Sequence, residues 1–412
     1  MRNRHPELLI PASSLEVLKT AVMFGADAVY IGGEAFGLRA KAKNFSMEDM
    51  KEGVQFAHEH GARVHVTVNI LAHNDDLEGV AEYLKELKEI GPDALIIADP
   101  AIFMLAKEIC PEIERHVSTQ ANNTNYGTFN FWWNLGAKRV VTARELSLKE
   151  IREIRAHIPA EMEIESFIHG AMCISYSGRC LLSNFFTGRD ANQGACTHPC
   201  RWKYSVVEET RPGEYMPVYE NERGTYIFNS KDLCMIEHIP EMIDAGIDSF
   251  KIEGRMKTAL YVATVARTYR KAIDDYLEDP KKYEANMPWY RDQISNCTYR
   301  QFTTGFYFGK PGDESQIYDS NTYIKEYTYL GIIGGIKDGM YRIEQRNKFS
   351  VGDTVEIMKP DGQNVEVTVE KIIDEDGQEQ ESAPHPKQVL YVALSGEASV
   401  YDILRRQEGV TE

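Results

Sequence analysis

Eight short apolar runs, spaced as β-α units, constrain the fold of this chain more than any other feature. They occupy residues 7–12, 28–33, 63–69, 94–99, 115–122, 139–144, 163–170 and 249–254. Most are rich in β-branched residues and have few polar interruptions, which is typical of parallel strands buried on both faces. Amphipathic stretches lie between them, and four of these begin with Ser or Asp, the residues preferred at helix N-caps: 14–25, 46–61, 75–91 and 147–158.

Repetition of the β-α unit decides the fold class. Right-handed β-α crossovers repeated eight times close into a barrel. The competing doubly wound sheet is disfavoured by the count of eight and by the lack of a GxGxxG turn. The sequence therefore predicts an α/β protein whose core is a (β/α)8 TIM-like barrel.

The predicted domain organisation has three parts. Residues 1–277 form the barrel and end with its eighth helix. About eighty residues, 171–248, separate the seventh and eighth strands, where a plain β-α unit needs roughly thirty, so this segment is predicted to be a functional insertion. Residues 278–324 form an irregular extension or linker. Residues 325–412 contain five strand-like runs with Asp-Gly turns, which predicts a small antiparallel β-barrel.

Four of the seven cysteines lie inside the insertion with the spacing C-x6-C-x15-C-x3-C: Cys173, Cys180, Cys196 and Cys200. Four converging thiolates suit zinc or an iron–sulfur cluster. Neither pair has the C-x2-C spacing of zinc knuckles, so the spacing mildly favours a cluster. Burial as inert thiols is the competing interpretation. Cys234 is a further candidate ligand, whereas Cys110 and Cys297 are expected to be packing residues.

Polar side chains at the ends of the predicted strands are candidates for chemistry, because TIM-like barrels carry their reacting groups there. The candidate catalytic residues are Asn69, Gln120, Arg144, His169, Glu253 and Arg255. Arg144 and Arg255 suit bidentate contact with a small dianion, and His169 and Glu253 are candidates for proton transfer. A structural role stays open for each, such as an ion pair between Glu253 and Lys251 or Arg255.

The charge distribution bears on nucleic-acid binding. A net charge of −17 argues against a protein that coats nucleic acid by charge alone. Residues 249–271 nevertheless carry a net charge of +5, and we predict that Lys257, Arg267 and Lys271 contact RNA; solvation of a helix is the alternative. Aromatic residues near the cysteines are predicted either to stack on a flipped base or to pack within the insertion: Phe185, Phe186, Trp202 and Tyr204.

The sequence shows no mark of secretion or membrane insertion. Its N-terminal stretch has no apolar run long enough for a signal peptide, and no window approaches about eighteen uncharged apolar residues. Cysteines without a secretory signal indicate thiols or metal ligands in a reducing compartment. We therefore expect a cytoplasmic protein without a membrane partner; the sequence leaves its oligomeric state open.

Three motifs carry a resemblance to a known family. The string from Glu165 to Cys200, GADAVYIGG at residues 25–33 and KIEGRMK at residues 251–257 resemble the collagenase-like peptidase family of unassigned mechanism, over nearly the whole chain. The sequence is most similar to a branch that hydroxylates a tRNA wobble uridine to 5-hydroxyuridine, and other members hydroxylate ribosomal RNA or a ubiquinone precursor without molecular oxygen.

The resemblance has consequences for cofactors and partners. It implies a [4Fe-4S] cluster on four cysteines, tRNA as partner, and prephenate, a small carboxylated metabolite, as oxygen source. Some members use a more distant cysteine as fourth ligand, which leaves a choice between Cys200 and Cys234. We take Cys200, because its C-x3-C pair with Cys196 is local.

Two other functions stay open. A collagenase-like peptidase needs an activated nucleophile or water, and the chain has neither HExxH nor GxSxG, nor a recognisable Cys–His pair beyond His169 near Cys173. A non-catalytic RNA-binding module, docking through its C-terminal barrel, is the second alternative. The polar groups predicted at the barrel mouth argue against it.

Overall fold

The computed structural model describes residues 5–33, 44–173, 175–193, 195–202, 205–207, 215–217, 229–297, 301–311, 315–317 and 327–408. The chain divides into two compact units, one built chiefly from residues before Thr258 and the other chiefly from residues after it. In the described segments, none of the helices combines the length and the apolar character that a membrane crossing requires.

Strands and helices alternate along the first unit. They are β1 (Glu7–Pro11), α1 (Leu15–Met23), β2 (Ala28–Gly32), α2 (Met47–Glu59), β3 (Arg63–Val68), α3 (Asn74–Ile90), β4 (Ala94–Ile97), α4 (Pro100–Ile109), β5 (Glu114–Val117), α5 (Tyr126–Leu135), β6 (Arg139–Val141), α6 (Leu148–His157) and β7 (Glu163–Gly170). Ser46 and Ser147 cap α2 and α6 as predicted. Helix α3 begins after His73 and not at Asp75, because the Asp76 carboxylate accepts the His73 backbone N–H at 2.7 Å.

The insertion after β7 contains short elements and leads to the eighth barrel strand. They are α7 (Leu182–Thr187), β8 (Ser205–Val207), β9 (Tyr215–Pro217), β10 (Asn229–Ser230), β11 (Asp232–Cys234), α8 (Ile239–Asp244) and β12 (Ser249–Ile252). Strand β12 pairs in parallel with both β1 and β7 and so closes the barrel. This confirms the predicted (β/α)8 TIM-like barrel with a cysteine-bearing insertion after its seventh strand. Strand β11 pairs antiparallel with β7, outside the ring.

The barrel interior is more polar than the sequence predicted. Every second side chain of a barrel strand points inward, and one interior cluster is apolar: Leu9, Ala28, Tyr30 and Ile96. Buried polar and charged residues also occupy the strands: His65, His116, Arg139, Glu165 and Lys251. Among them, the Glu165 carboxylate accepts hydrogen bonds from Lys251 Nζ at 2.6 Å and from Arg139 Nη1 at 3.1 Å.

The second unit begins with α9 (Ala259–Glu278) and α10 (Pro280–Ser295), which pack against each other. The sequence assigned α9 to the barrel as its eighth helix, yet α9 is grouped with the C-terminal strands. One cause is the buried Arg267 of α9, which donates from Nη1 to the carbonyl of Lys359 at 2.9 Å and from Nη2 to Gln293 Oε1 at 2.5 Å. Strands β13 (Phe302–Thr303) and β14 (Gln316–Ile317) return to the first unit, where they pair with β11 and β10.

Within the described residues 327–408, nine strands complete the second unit. They are β15 (Tyr327–Lys337), β16 (Met340–Glu344), β17 (Phe349–Ser350), β18 (Thr354–Met358), β19 (Asn364–Asp374), β20 (Glu379–Gln380), β21 (Ser382–Ala383), β22 (Val389–Leu394) and β23 (Ile403–Gln407). The antiparallel order β18-β23-β15-β16-β22-β19 closes through a pairing of β19 with β18, which confirms the small C-terminal β-barrel. Asp338 and Gly339 both have left-handed φ values, 50° and 77°, as a two-residue hairpin turn requires.

Candidate active site at the barrel mouth

A cavity of about 380 Å³ lies at the carboxyl ends of the barrel strands, where the insertion faces them. All four cysteines of the predicted cluster line it: Cys173, Cys180, Cys196 and Cys200. Five of the six candidate catalytic residues line it as well: Asn69, Gln120, Arg144, Glu253 and Arg255. The structure therefore brings the two groups of predicted site residues to one place.

Arg144 and Glu253 form an ion pair in the cavity wall. Arg144 Nη2 donates to Glu253 Oε2 at 2.9 Å, and both side chains are mostly buried. The guanidinium of Arg144 also lies 4.0 Å from the centre of the Phe167 ring, a cation–π contact. Glu253 was predicted to act in proton transfer or to pair with Lys251 or Arg255. Its partner is Arg144, so the two side chains hold each other in position.

Arg255 lies against the floor of the cavity. Its Nη1 donates to Thr67 Oγ1 at 2.7 Å. A Cβ atom on Gly32 would lie 3.0 Å from Arg255 Nη1, so the glycine lets the guanidinium pack directly on strand β2. An arginine held in this way has lost its side-chain freedom before any ligand arrives, which lowers the entropic cost of binding an anion.

Lys251 is a cavity residue that the sequence identified only as a possible partner of Glu253. Its Nζ donates to Glu165 and lies 4.4 Å from the centre of the Tyr30 ring. Lys251 precedes Glu253, a predicted strand-end residue, by two positions, and residues two apart on a strand point to the same side. That alternation is the signal that could have found Lys251.

The cavity carries an excess of positive charge. Four cationic side chains line it: Arg144, Arg189, Lys251 and Arg255. Among the described residues of the lining, Glu253 is the one carboxylate. The chain as a whole has a net charge of −17, so the positive charge of this cavity is a local exception, and it favours an anionic ligand.

The cysteine loop packs closely on the barrel. Cys180 and Cys200 are half-buried, while Cys173 and Cys196 are exposed to the cavity side. Gly178 has a φ of +72°, and a Cβ atom there would lie 2.6 Å from Gln120 Oε1, so glycine permits this approach. The backbone N–H of His198 donates to Cys196 Sγ at 3.4 Å, a contact that stabilises a thiolate. Four cysteines that line one cavity are a ligand set suited to an iron–sulfur cluster.

His169 and Cys234 are neighbours and are not among the described residues that line the cavity, although the His169 carbonyl accepts the backbone N–H of Glu253, which does line it, at 2.8 Å. Cys234 of β11 pairs with His169 of β7, and both side chains are buried. Burial, assisted by the charge of Lys257, lowers the pKa of His169 to about 3. The imidazole is therefore neutral at physiological pH. Its role in proton transfer stays a prediction.

We expect His169 to make the folded chain sensitive to acid. Because its pKa is near 6.5 when unfolded and about 3 when folded, protons bind the unfolded chain more tightly, and stability falls as pH drops below about 6.5. Between pH 7 and pH 5, the wild type should lose about 2 kcal/mol more stability than His169→Asn in urea unfolding. His60→Asn, at an exposed position, should behave as the wild type. Parallel pH profiles for wild type and His169→Asn would contradict the assignment.

The residues predicted to contact RNA have different surroundings. Lys257 is half-buried in the first unit, just after β12. Arg267 is buried, and burial lowers its pKa to about 9; its hydrogen bonds within the second unit argue against an RNA contact. Lys271, also in the second unit, is ion-paired with Asp275 at 3.0 Å.

The aromatic residues of the insertion are exposed. Phe185 is 81% exposed, and its ring lies 5.1 Å from that of Phe186, which in turn lies 6.2 Å from Trp202. Tyr204 lies outside the described residues. Exposure on this scale argues against the packing interpretation and leaves stacking as the interpretation for these three rings.

Comparison with known proteins identifies the family. Residues 13–317 match Peptidase family U32, and residues 325–405 match the Peptidase family U32 C-terminal domain. The chain belongs to peptidase family U32. The resemblance carried by the cysteine string, GADAVYIGG and KIEGRMK is thereby confirmed.

Three relatives of this U32 chain have informative names. It is 43% identical to tRNA hydroxylation protein P1 of Bacillus subtilis over 98% of this chain and 95% of that protein. It is 39% identical to tRNA hydroxylation protein P of Escherichia coli over 92% and 91% of the two chains. It is 40% identical to the 23S rRNA 5-hydroxycytidine C2501 synthase of Escherichia coli over 66% of this chain and 40% of that protein.

Proposed function

We propose that this U32 chain hydroxylates RNA, converting a tRNA wobble uridine to 5-hydroxyuridine without molecular oxygen. The observation that carries the proposal is the cavity, where four cysteines and four cationic side chains surround one space of about 380 Å³. Likeness over 98% of the chain to a relative named for tRNA hydroxylation supports the substrate. The relative named for 5-hydroxycytidine supports hydroxylation at the C5 position of a pyrimidine.

The cysteines would hold a [4Fe-4S] cluster: Cys173, Cys180, Cys196 and Cys200. When bound, such a cluster supplies electron transfer to the cavity. Two observations support Cys200 as the fourth ligand over Cys234. Cys200 lines the cavity, whereas Cys234 is buried in β11, where its backbone pairs with that of His169.

The cationic wall would bind the small acid that donates oxygen. Prephenate, the oxygen source that we propose, carries two carboxylates, and planar guanidinium groups bind carboxylates through paired hydrogen bonds. Arg144 is oriented by Glu253, and Arg255 is oriented by Thr67, so both guanidinium groups are held in position before the acid enters. The rings of Tyr30 and Phe167 supply an apolar side to the same space.

The exposed rings of the insertion would contact the RNA. An enzyme that modifies a base must take it out of its stack, and aromatic side chains then replace the lost stacking. Phe185, Phe186 and Trp202 form such a surface in the insertion that carries the cysteines. Lys257, which follows β12, is the basic residue of the first unit that we retain as an RNA contact.

An incubation with undermodified tRNA tests the proposed function. Protein purified without oxygen is mixed with prephenate and with tRNA from cells that lack the modification, and the nucleosides are analysed by mass spectrometry. We expect 5-hydroxyuridine only when protein, tRNA and prephenate are all present. Cleavage of a collagen-like peptide without any nucleoside product would favour the peptidase, and tRNA binding without either product would favour the RNA-binding module.

Arg255 provides a sharper test of the small acid. Arg255→Ala should raise the prephenate concentration for half-maximal turnover by about 10–100-fold, because one charge-assisted bidentate contact is lost. Iron content and tRNA affinity should not change, since Arg255 contacts β2 and β3 in the cavity floor. Arg152→Ala, on the exposed face of α6, is the matched control. An unchanged half-saturation in Arg255→Ala would remove the residue from the acid site.

A further inference from the structure

A second group of ligand-forming side chains lies inside the barrel and takes no part in the proposed hydroxylation. His65 of β3, His116 of β5 and Glu165 of β7 are fully buried, and one ligand atom from each lies within 4.8 Å of the others. We propose that these three residues hold one divalent transition-metal ion, at a site separate from the cysteines. The proposal stands whether or not the chain hydroxylates RNA.

The group lies one interior layer below the cavity. Residues two positions further along the same strands line that cavity: Thr67, Ser118 and Phe167. Inward-facing residues of one strand are about 6.6 Å apart, so a metal here would lie beneath the cavity floor. Lys251 connects the two levels, since it lines the cavity and donates to Glu165 at 2.6 Å.

The histidine rings are buried with ring nitrogens that have no protein partner. Within the described part of the chain, Nδ1 and Nε2 of His65 and Nδ1 of His116 make no hydrogen bond. The rings touch edge to face with centres 4.8 Å apart. Buried polar atoms are almost always satisfied, so these nitrogens indicate a partner that is not part of the polypeptide. A metal ion takes up nitrogen lone pairs directly.

His116 is oriented as metal-binding histidines are. Its Nε2 lies 3.1 Å from Glu114 Oε2, which leaves Nδ1 as the ring nitrogen without a hydrogen bond among the described residues. A carboxylate on the outer nitrogen of a ligand histidine fixes the ring and raises its basicity. Burial lowers the pKa of both His65 and His116 well below the usual range, so both rings are in the neutral form that binds metals.

The neighbouring charges are compatible with a cation. One oxygen of the Glu165 carboxylate accepts a hydrogen bond from Lys251 at 2.6 Å, and the other accepts one from Arg139 at 3.1 Å. Each carboxylate oxygen has a further lone pair. Arg139 is in turn bonded to Glu7 and Glu163, so its charge is not left uncompensated. Two imidazoles and a carboxylate favour Fe²⁺, Co²⁺ or Zn²⁺ over Mg²⁺ or Ca²⁺.

The test uses the full chain with all four cluster cysteines changed to serine, so that no cluster contributes metal. This variant is made in medium supplemented with Co²⁺, and its metal content is measured by mass spectrometry. We expect about one cobalt per chain, with d–d absorption and without the charge-transfer bands of sulfur ligation. His65→Asn and His116→Asn in the same background should each lose the metal, whereas His58→Asn, on the surface, should retain it.

The cobalt measurements have outcomes that would contradict the metal site. A folded four-serine variant with less than about one-tenth of a cobalt per chain would overturn the proposal, and so would full retention by both histidine variants. If the variants do not fold, the X-ray absorption spectrum of wild-type chain made with Co²⁺ decides, since a coordination shell of nitrogen and oxygen is expected and one of sulfur alone contradicts it. None of these measurements uses hydroxylation, so failure of the proposed function leaves them unaffected.

Discussion

Serine at any one of Cys173, Cys180, Cys196 or Cys200 is expected to reduce hydroxylation to background and to remove the iron. All four side chains line one cavity, and an all-cysteine [4Fe-4S] cluster depends on four thiolates. A serine hydroxyl is a much poorer ligand for iron, since it is not ionised at neutral pH. Iron and sulfide assays, the visible absorption spectrum and the nucleoside assay measure the loss on protein purified without oxygen.

The remaining cysteines are matched controls for that result. Cys110 and Cys297 are buried, and their Sγ atoms donate to the carbonyls of Ala106 and Ile294, so their serine variants should keep iron and activity. Cys234→Ser should also keep both. Full iron in Cys200→Ser together with loss in Cys234→Ser would reassign the fourth ligand, and zinc in place of iron would disprove the cluster.

The position of the site could be predicted because barrel topology brings strand ends together. Asn69, Arg144, Glu253 and Arg255 are scattered over 187 positions of the sequence, yet each lies within three residues after the end of a strand, and all four line the cavity. The cysteines were predicted from their density on one loop. A loop between neighbouring strands of a barrel has few places to lie other than the mouth.

The partners of these residues could not be predicted, because they depend on packing between strands. Glu253 has three cationic candidates near it in sequence or space, and the structure pairs it with Arg144, which is the most distant of them in the sequence. His169 is buried because β11, from within the insertion, pairs alongside β7. Arg267 is buried because its guanidinium reaches the turn between β18 and β19.

The polar barrel interior was missed for a different reason. His65 interrupts a run of valines, and His116 and Glu165 stand beside other polar residues, whereas parallel strands buried on both faces are expected to be apolar. Their alternation with Val and Ser was visible in the sequence. It could not show that three side chains from separate strands converge.

Arg139→Ala is expected to destabilise the folded chain by about 3–5 kcal/mol, because it leaves buried carboxylates without their counter-charge. Arg139 is only 2% exposed and bonds three of them: Glu7 at 2.5 Å, Glu163 at 2.7 Å and Glu165 at 3.1 Å. Burial alone would raise the pKa of Glu7, but the charge of Arg139 outweighs it and holds that pKa well below its usual range. Without the guanidinium, the burial cost is no longer offset.

Urea unfolding of wild type and variant at pH 7 measures the loss, with Lys138→Ala as control. Lys138 is 37% exposed and lies 3.5 Å from Glu163, so its removal should cost less than about 1 kcal/mol. The stability that Arg139 provides through Glu7 is present above the unfolded carboxyl pKa and is lost as pH falls, because protonated carboxyls need no counter-charge. The difference between wild type and Arg139→Ala should therefore shrink on acidification below about pH 4.5. A loss below about 1 kcal/mol at pH 7, or a difference that grows in acid, would show that the buried carboxylates do not depend on Arg139.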